Sequence, residues 1–88
     1  MKQDIKKSLK RRMSIISGQT RGIQEMIEAE KYCVDIITQV EAVREALSSV
    51  GNLVLQNHME THVMHQIKHG EEKKAIQEIL KVYNLKKK

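Results

Sequence analysis

Residues 32–69 contain no proline and read as one helix of almost forty residues. At ~1.5 Å rise per residue it is ~55 Å long, about twice the ~30 Å width of a small domain. A chain of 88 residues cannot cover such a rod by itself. Its apolar residues fall on a seam: Cys33, Val40, Leu47 and Val54 step by seven, with Ile36 or Ile37, Val43 and Val50 between them. That spacing suits a helix packed lengthwise on another helix. The single cysteine opens the seam, and His58, His62, His65 and His69 close it on one helical face, spaced four, three and four.

Twenty-five residues separate Cys33 from His58, or ~37 Å along a straight helix, so one helix cannot bring both to one ion. Two copies running antiparallel and crossing near their midpoint can. The crossing then falls on Glu45-Ala46-Leu47-Ser48-Ser49, with Gly51 just beyond, where small residues allow two backbones to approach closely. A two-fold dimer, the commonest oligomer symmetry, creates the pairing twice. One thiolate with the imidazoles of His58 and His62 suits copper, zinc or nickel, whereas calcium and magnesium prefer oxygen. The competing reading of Cys33 is a small hydrophobe on an apolar seam, and that of the histidines is a solvated, titratable face.

Composition narrows the setting. With no Phe, no Trp and two Tyr, the core must be aliphatic and methionine-rich. A core this small is usually supported by oligomerisation when no disulfide is possible, and one cysteine allows none within the chain. The cysteine usage points to a reducing cytoplasm. The sequence shows no apolar run of signal-peptide or membrane-spanning length. The formal charge is +5, from 16 Lys+Arg against 11 Asp+Glu. A tetramer would carry about +20, enough to attract nucleic acid, although a basic surface also serves solubility alone.

The remaining chain reads as two further helices. Ile5, Leu9, Met13, Ile16, Ile23, Met26 and Ile27 follow three- and four-residue steps, giving a first helix over 5–28. Gly18 and Gly22 each cost it ~1 kcal/mol relative to alanine, which close packing or a need for flexibility would offset. This helix carries Lys6, Lys7, Lys10, Arg11 and Arg12, with Arg21 further along. Ala29-Glu30-Lys31 offers neither Gly nor Pro to end it, so periodicity alone would let the helix continue. The second helix spans 32–69 and stops at Gly70. A third, over 71–84, takes its apolar face from Ala75, Ile76, Ile79, Leu80 and Tyr83, and Lys86 to Lys88 form a basic tail. The fold is therefore all-α, a single domain over 1–88, with no strand signal, repeat or low-complexity segment.

Enzymatic chemistry finds little support. A Cys/His pair could serve a thiol nucleophile, but no Gly-rich phosphate loop or Ser-His-Asp set accompanies it. No zinc-finger, bZIP or RNA-binding aromatic pattern is present. The second helix is far too long for a helix-turn-helix.

Gly18-Gln19-Thr20-Arg21-Gly22-Ile23, Tyr32-Cys33-Val34-Asp35-Ile36-Ile37-Thr38-Gln39, Ala42-Val43-Arg44 and His58-Met59-Glu60-Thr61-His62 carry a resemblance. From about Leu9 to His65 the chain resembles the metal-sensing repressors of the CsoR, RcnR and FrmR type, nearest to the copper-sensing CsoR branch. The resemblance implies an antiparallel helical dimer and a disc-like homotetramer. It implies a cytoplasmic repressor whose apo form holds operator DNA and whose Cu(I)-bound form lets go, derepressing metal-efflux genes. Cys33 of one protomer and His58 and His62 of the other become the ligands. Tyr32 and Glu78 become the groups linking the bound histidine to the third helix. Lys10, Arg11, Arg12, Arg21 and Arg44 become the DNA contacts, with Ser14 and Ile15 standing where many members carry further basic residues.

This chain departs from the copper pattern at His62, a position commonly cysteine. The harder Cys-His-His set could admit Ni(II), Co(II) or Zn(II). Against that, Met1-Lys2-Gln3 lacks the N-terminal histidine of the nickel/cobalt branch. The persulfide sensors use two cysteines and the formaldehyde sensors an N-terminal proline; this chain has one Cys and no Pro. Two rival readings stay open: a nickel-, cobalt- or zinc-responsive repressor of the same fold, and a metal-binding helical oligomer with no DNA role.

Overall fold

A computed structural model describes residues 1–87; Lys88 of the expected basic tail lies outside the described residues. The elements are α1 (Gln3–Glu28), α2 (Cys33–His58), a π-helical turn (Met59–Val63), α3 (Met64–Lys68) and α4 (Glu72–Lys87), with no strand among the described residues. The backbone stays right-handed helical through His58, Val63 and Met64. The long second helix is thus one unbroken run over 33–68, and the architecture is three helical runs, all-α as the periodicity predicts.

That run is not uniformly α-helical, which periodicity did not foresee. The Thr61 hydroxyl, in the π turn, donates to the Asn57 carbonyl of α2 at 2.7 Å. Thr20 and Thr38 make the same bond to the Ile16 and Val34 carbonyls at 2.9 and 2.8 Å within regular α-helix, so the hydroxyl alone does not produce the π turn.

Both helix breaks use the same device. After α3, Gly70 turns left-handed at φ +73. The Gly70 N–H then bonds the Ile67 carbonyl at 3.3 Å and the Glu71 N–H bonds the Gln66 carbonyl at 2.7 Å. After α1, Glu30 takes the same conformation at φ 51. Its N–H bonds the Ile27 carbonyl at 3.0 Å, and the Lys31 N–H bonds the Met26 carbonyl at 2.9 Å. These are two Schellman caps. The first break was hard to see in the sequence because a glutamate occupies the position that glycine fills at Gly70. A residue with a Cβ accepts that geometry at a cost of about 1–2 kcal/mol.

Packing divides the chain into two units, Met1–Leu55 and Gln56–Lys88. In the first, Leu9 and Ile16 of α1 are buried. Arg12, Ile15, Ile16 and Gln19 of α1 line a groove with Ala46 and Ser49 of α2, so α1 lies beside the middle of α2. A methyl group added at Gly18 or Gly22 would meet no neighbouring heavy atom within 4 Å, so close packing inside the chain is not what these glycines serve. The seam splits in two: Ile36, Val43 and Val50 are half-buried, while Cys33, Val40, Leu47 and Val54 are exposed.

In the second unit, α3 packs on α4, and Val63, Ala75, Asn57 and Gln66 are buried. Of the apolar face expected on α4, only Ala75 is covered; Ile76, Ile79, Leu80 and Tyr83 stand exposed. No helix among the described residues is long and apolar enough to cross a membrane.

Candidate metal centre

His58 is the last residue of α2, and Glu78 lies in the middle of α4. The His58 Nε2 stands 2.9 Å from the Glu78 Oε2. An ionised carboxylate only accepts hydrogen bonds, so Nε2 carries the proton and neutral His58 keeps its lone pair on Nδ1. His62 follows one turn later, with its ring stacked on that of His58 at a centroid separation of 5.0 Å and 25° between planes. The His62 Nδ1 is 3.2 Å from the Thr61 Oγ1. That hydroxyl spends its proton on Asn57, so it accepts from the His62 Nδ1–H and leaves the His62 Nε2 with the lone pair. Two adjacent imidazoles thus present different nitrogens.

Glu78 is held from a second side by Gln66, which no motif in the sequence marks out. The Gln66 Nε2 sits 3.4 Å from Oε1 and 3.3 Å from Oε2 of Glu78. Gln66 is buried, and its Oε1 finds no partner. Turning the amide over would aim that oxygen at a carboxylate, so the unpartnered acceptor is the lesser cost, about 1–3 kcal/mol for such a group. A weaker signal was available: Gln66 lies four residues after His62 and eight after His58, on the same helical face. The Glu78 carboxyl is held below its ordinary range, first by the Gln66 hydrogen bond and then by the His58 hydrogen bond and charge and by Lys74, with partial burial opposing them.

Cys33 is the first residue of α2, with a free and exposed thiol. Tyr32 precedes it, its carbonyl accepting from the N–H groups of Asp35 and Ile36 at 3.0 and 3.2 Å, while its side chain is exposed. The structure brings together His58, His62 and Glu78. Among the described residues of one chain, no three His, Cys, Asp or Glu side chains gather as a metal-binding group. A thiol with two imidazoles is nonetheless a donor set for soft and borderline cations, and one ring is already oriented by a carboxylate, as ligating histidines usually are.

Four of the five candidate DNA contacts lie on α1 and Arg44 lies on α2. Lys10, Arg11, Arg21 and Arg44 are exposed and Arg12 is half-buried, its Nε 3.4 Å from the Ser8 Oγ. Arg44 pairs with Glu41 at 3.7 Å, an exposed contact of the kind worth about 0–1 kcal/mol and easily exchanged for another anion. Lys6, Lys7 and Lys10 line a shallow groove with Gln3 and Asp4.

A helical chain with this basic face and a carboxylate-braced histidine falls within a class: metal-sensitive transcriptional repressors. That family matches residues 5–84, and the chain belongs to it. Particular relatives are copper sensors. The chain is 41% identical over 78 residues to the copper-sensing transcriptional repressor CsoR of Bacillus subtilis (strain 168), covering 89% of this chain and 77% of the relative. It is 42% identical over 60 residues to the copper-sensing transcriptional repressor RicR of Mycobacterium tuberculosis (strain ATCC 25618 / H37Rv), covering 68% of this chain and 62% of that longer protein. The crystal structure of the copper-sensing repressor CsoR with Cu(I) from Geobacillus thermodenitrificans NG80-2 superposes with a TM-score of 0.93 at 31% identity, over the whole of this chain and 92% of the other. The family is one of repressors, so the thiol-nucleophile reading falls away.

Proposed function

We propose that this chain is a cytoplasmic, Cu(I)-responsive repressor that holds operator DNA in its apo form and releases it on binding copper, freeing genes for metal efflux. The observation that carries the reading is the His58–Glu78 contact, which ties a potential ligand on α2 to a separate helix. Relatives that sense copper support the choice of metal.

The ligands are Cys33 from one protomer and His58 and His62 from an antiparallel partner. Burial supports a partner copy. The exposed Val40, Leu47 and Val54 supply an apolar stripe that a second α2 would cover. The open face of α4, with Ile76, Ile79, Leu80 and Tyr83 exposed, favours a further pairing of dimers into a tetramer. Bound copper supplies a cationic centre that fixes the thiolate and both rings. His58 offers Nδ1 and His62 offers Nε2, the nitrogens their hydrogen bonds leave free. Reorienting His58 moves Glu78, and Glu78 moves α4 with Gln66. Tyr32 stands beside Cys33 in sequence and completes this link from the partner's side. On DNA, Lys10, Arg11, Arg12, Arg21 and Arg44 make phosphate contacts, so binding falls steeply with salt. Linkage requires DNA to weaken metal binding by the factor that metal weakens DNA binding, typically ~1–3 kcal/mol.

The test is a gel-shift titration with anaerobic Cu(I), using Cys33→Ala as control. Operator affinity unchanged at stoichiometric loading eliminates the proposal. One feature favours a second reading, a repressor of the same fold responsive to Ni(II), Co(II) or Zn(II): His62 makes the donor set harder than one with two thiolates. Absorption spectra separate the two. A tight octahedral or square-planar site for Ni(II) or Co(II), with DNA release, selects the second.

A further inference from the structure

The second histidine pair, His65 and His69, has no part in the arrangement above. We propose that it forms a separate metal site that takes a borderline divalent cation, of the Zn(II) or Ni(II) class, through two imidazoles and no sulfur.

The rings already stand as a pair. Their centroids are 4.1 Å apart with 46° between planes, closer than those of His58 and His62. Two nitrogens on one tetrahedral zinc, each at ~2.0–2.1 Å, lie ~3.3 Å apart. Rings at this separation reach that span by rotation about their side-chain bonds, with no movement of the backbone. The spacing of four residues on one helical face is the spacing at which helical histidine pairs hold zinc. Both side chains are exposed, so neither must be desolvated or pulled from a packed core.

A second observation concerns the backbone beneath them. The pair straddles a helix C-terminus. The His69 N–H still bonds the His65 carbonyl at 3.1 Å, so both residues belong to one turn. Gly70 then ends the helix in the Schellman cap. The final carbonyls of a helix carry its negative dipole end, which favours a cation near an exposed terminus. The two histidines and the helix end therefore act in the same sense. Water completes the coordination sphere, and the absence of a thiolate turns the site's preference from Cu(I) towards divalent ions. This site does not depend on a partner protomer or on the assignment of Cys33.

The test uses the full chain carrying Cys33→Ala and His62→Ala, which removes two of the three donors of the first set. Titration with Zn(II) alone, followed by calorimetry, should show saturable binding of one ion per chain. His65→Ala, or separately His69→Gln, should abolish it while leaving the helical circular dichroism unchanged. Zn(II) loading should also slow amide exchange at His69, Gly70 and Glu71, whose N–H groups close the cap. No saturable binding in the doubly substituted chain overturns the proposal. So does binding that survives both histidine substitutions, or binding that leaves those three amides exchanging at their metal-free rate.

Discussion

The Nε2 of His58 lies 2.9 Å from the Oε2 of Glu78, twenty residues away in sequence and on another helix. Both side chains are about one-third exposed. The contact is therefore not a buried ion pair whose loss would unfold the chain, and its worth lies in what it connects. It sets the ring's tautomer at one end and grips the middle of α4 at the other.

Replacing Glu78 by Gln keeps the size and a hydrogen-bonding group but removes the carboxylate. Cu(I) should still bind, because Cys33, His58 and His62 are untouched. The metal-induced loss of operator affinity should shrink by about tenfold, which is ~1.4 kcal/mol of coupling. Fluorescence anisotropy of labelled operator with and without Cu(I) measures it. Full metal-induced release in Glu78→Gln would show that α4 is not part of the switch.

The Glu78 carboxyl should titrate below its ordinary value of 4.5, chiefly because Gln66 donates to it. A folded-state value lowered in this way gives stability that is present above 4.5 and is lost as pH falls through the lower folded value. Carboxyl carbon shifts in a labelled sample report the titration directly. Gln66→Leu should move the midpoint upward. A midpoint unmoved by that change would mean that the Gln66 contact does not set the charge of Glu78.

Glu30 holds a left-handed conformation without glycine's freedom. Glu30→Gly should raise stability by roughly 0.5–1 kcal/mol, the relief of strain exceeding the added entropy of the unfolded chain. Urea unfolding at the same protein concentration for both chains, which holds the contribution from assembly constant, gives the comparison. A loss of stability would place a side-chain role of Glu30 above its backbone cost.

Ligands drawn from opposite protomers make a prediction about mixtures. Cys33→Ala chains alone, and His58→Ala/His62→Ala chains alone, should lack the thiolate–imidazole site. Unfolded together and refolded, they should regain about a quarter of the wild-type Cu(I) sites, since half the dimers are mixed and each has one complete site. Thiolate-to-copper ultraviolet absorption counts them. No recovery on mixing would mean that each site is drawn from one chain.

Much of this molecule is written locally. The helical runs, the apolar seam and the stop at Gly70 follow from periodicity and from one residue's freedom at φ +73. The spacing of His58 and His62 announces a shared face in the same way. Three features needed the folded chain. Glu30 ends α1 through main-chain hydrogen bonds that a glutamate does not advertise. The π turn at Met59–Val63 leaves no mark in the apolar periodicity. Gln66 matters only because α3 packs on α4 and brings its amide to Glu78. Helical periodicity is a property of neighbours within a turn, so sequence determines it. The partner of a side chain across two helices depends on how those helices pack, and only the tertiary structure decides that.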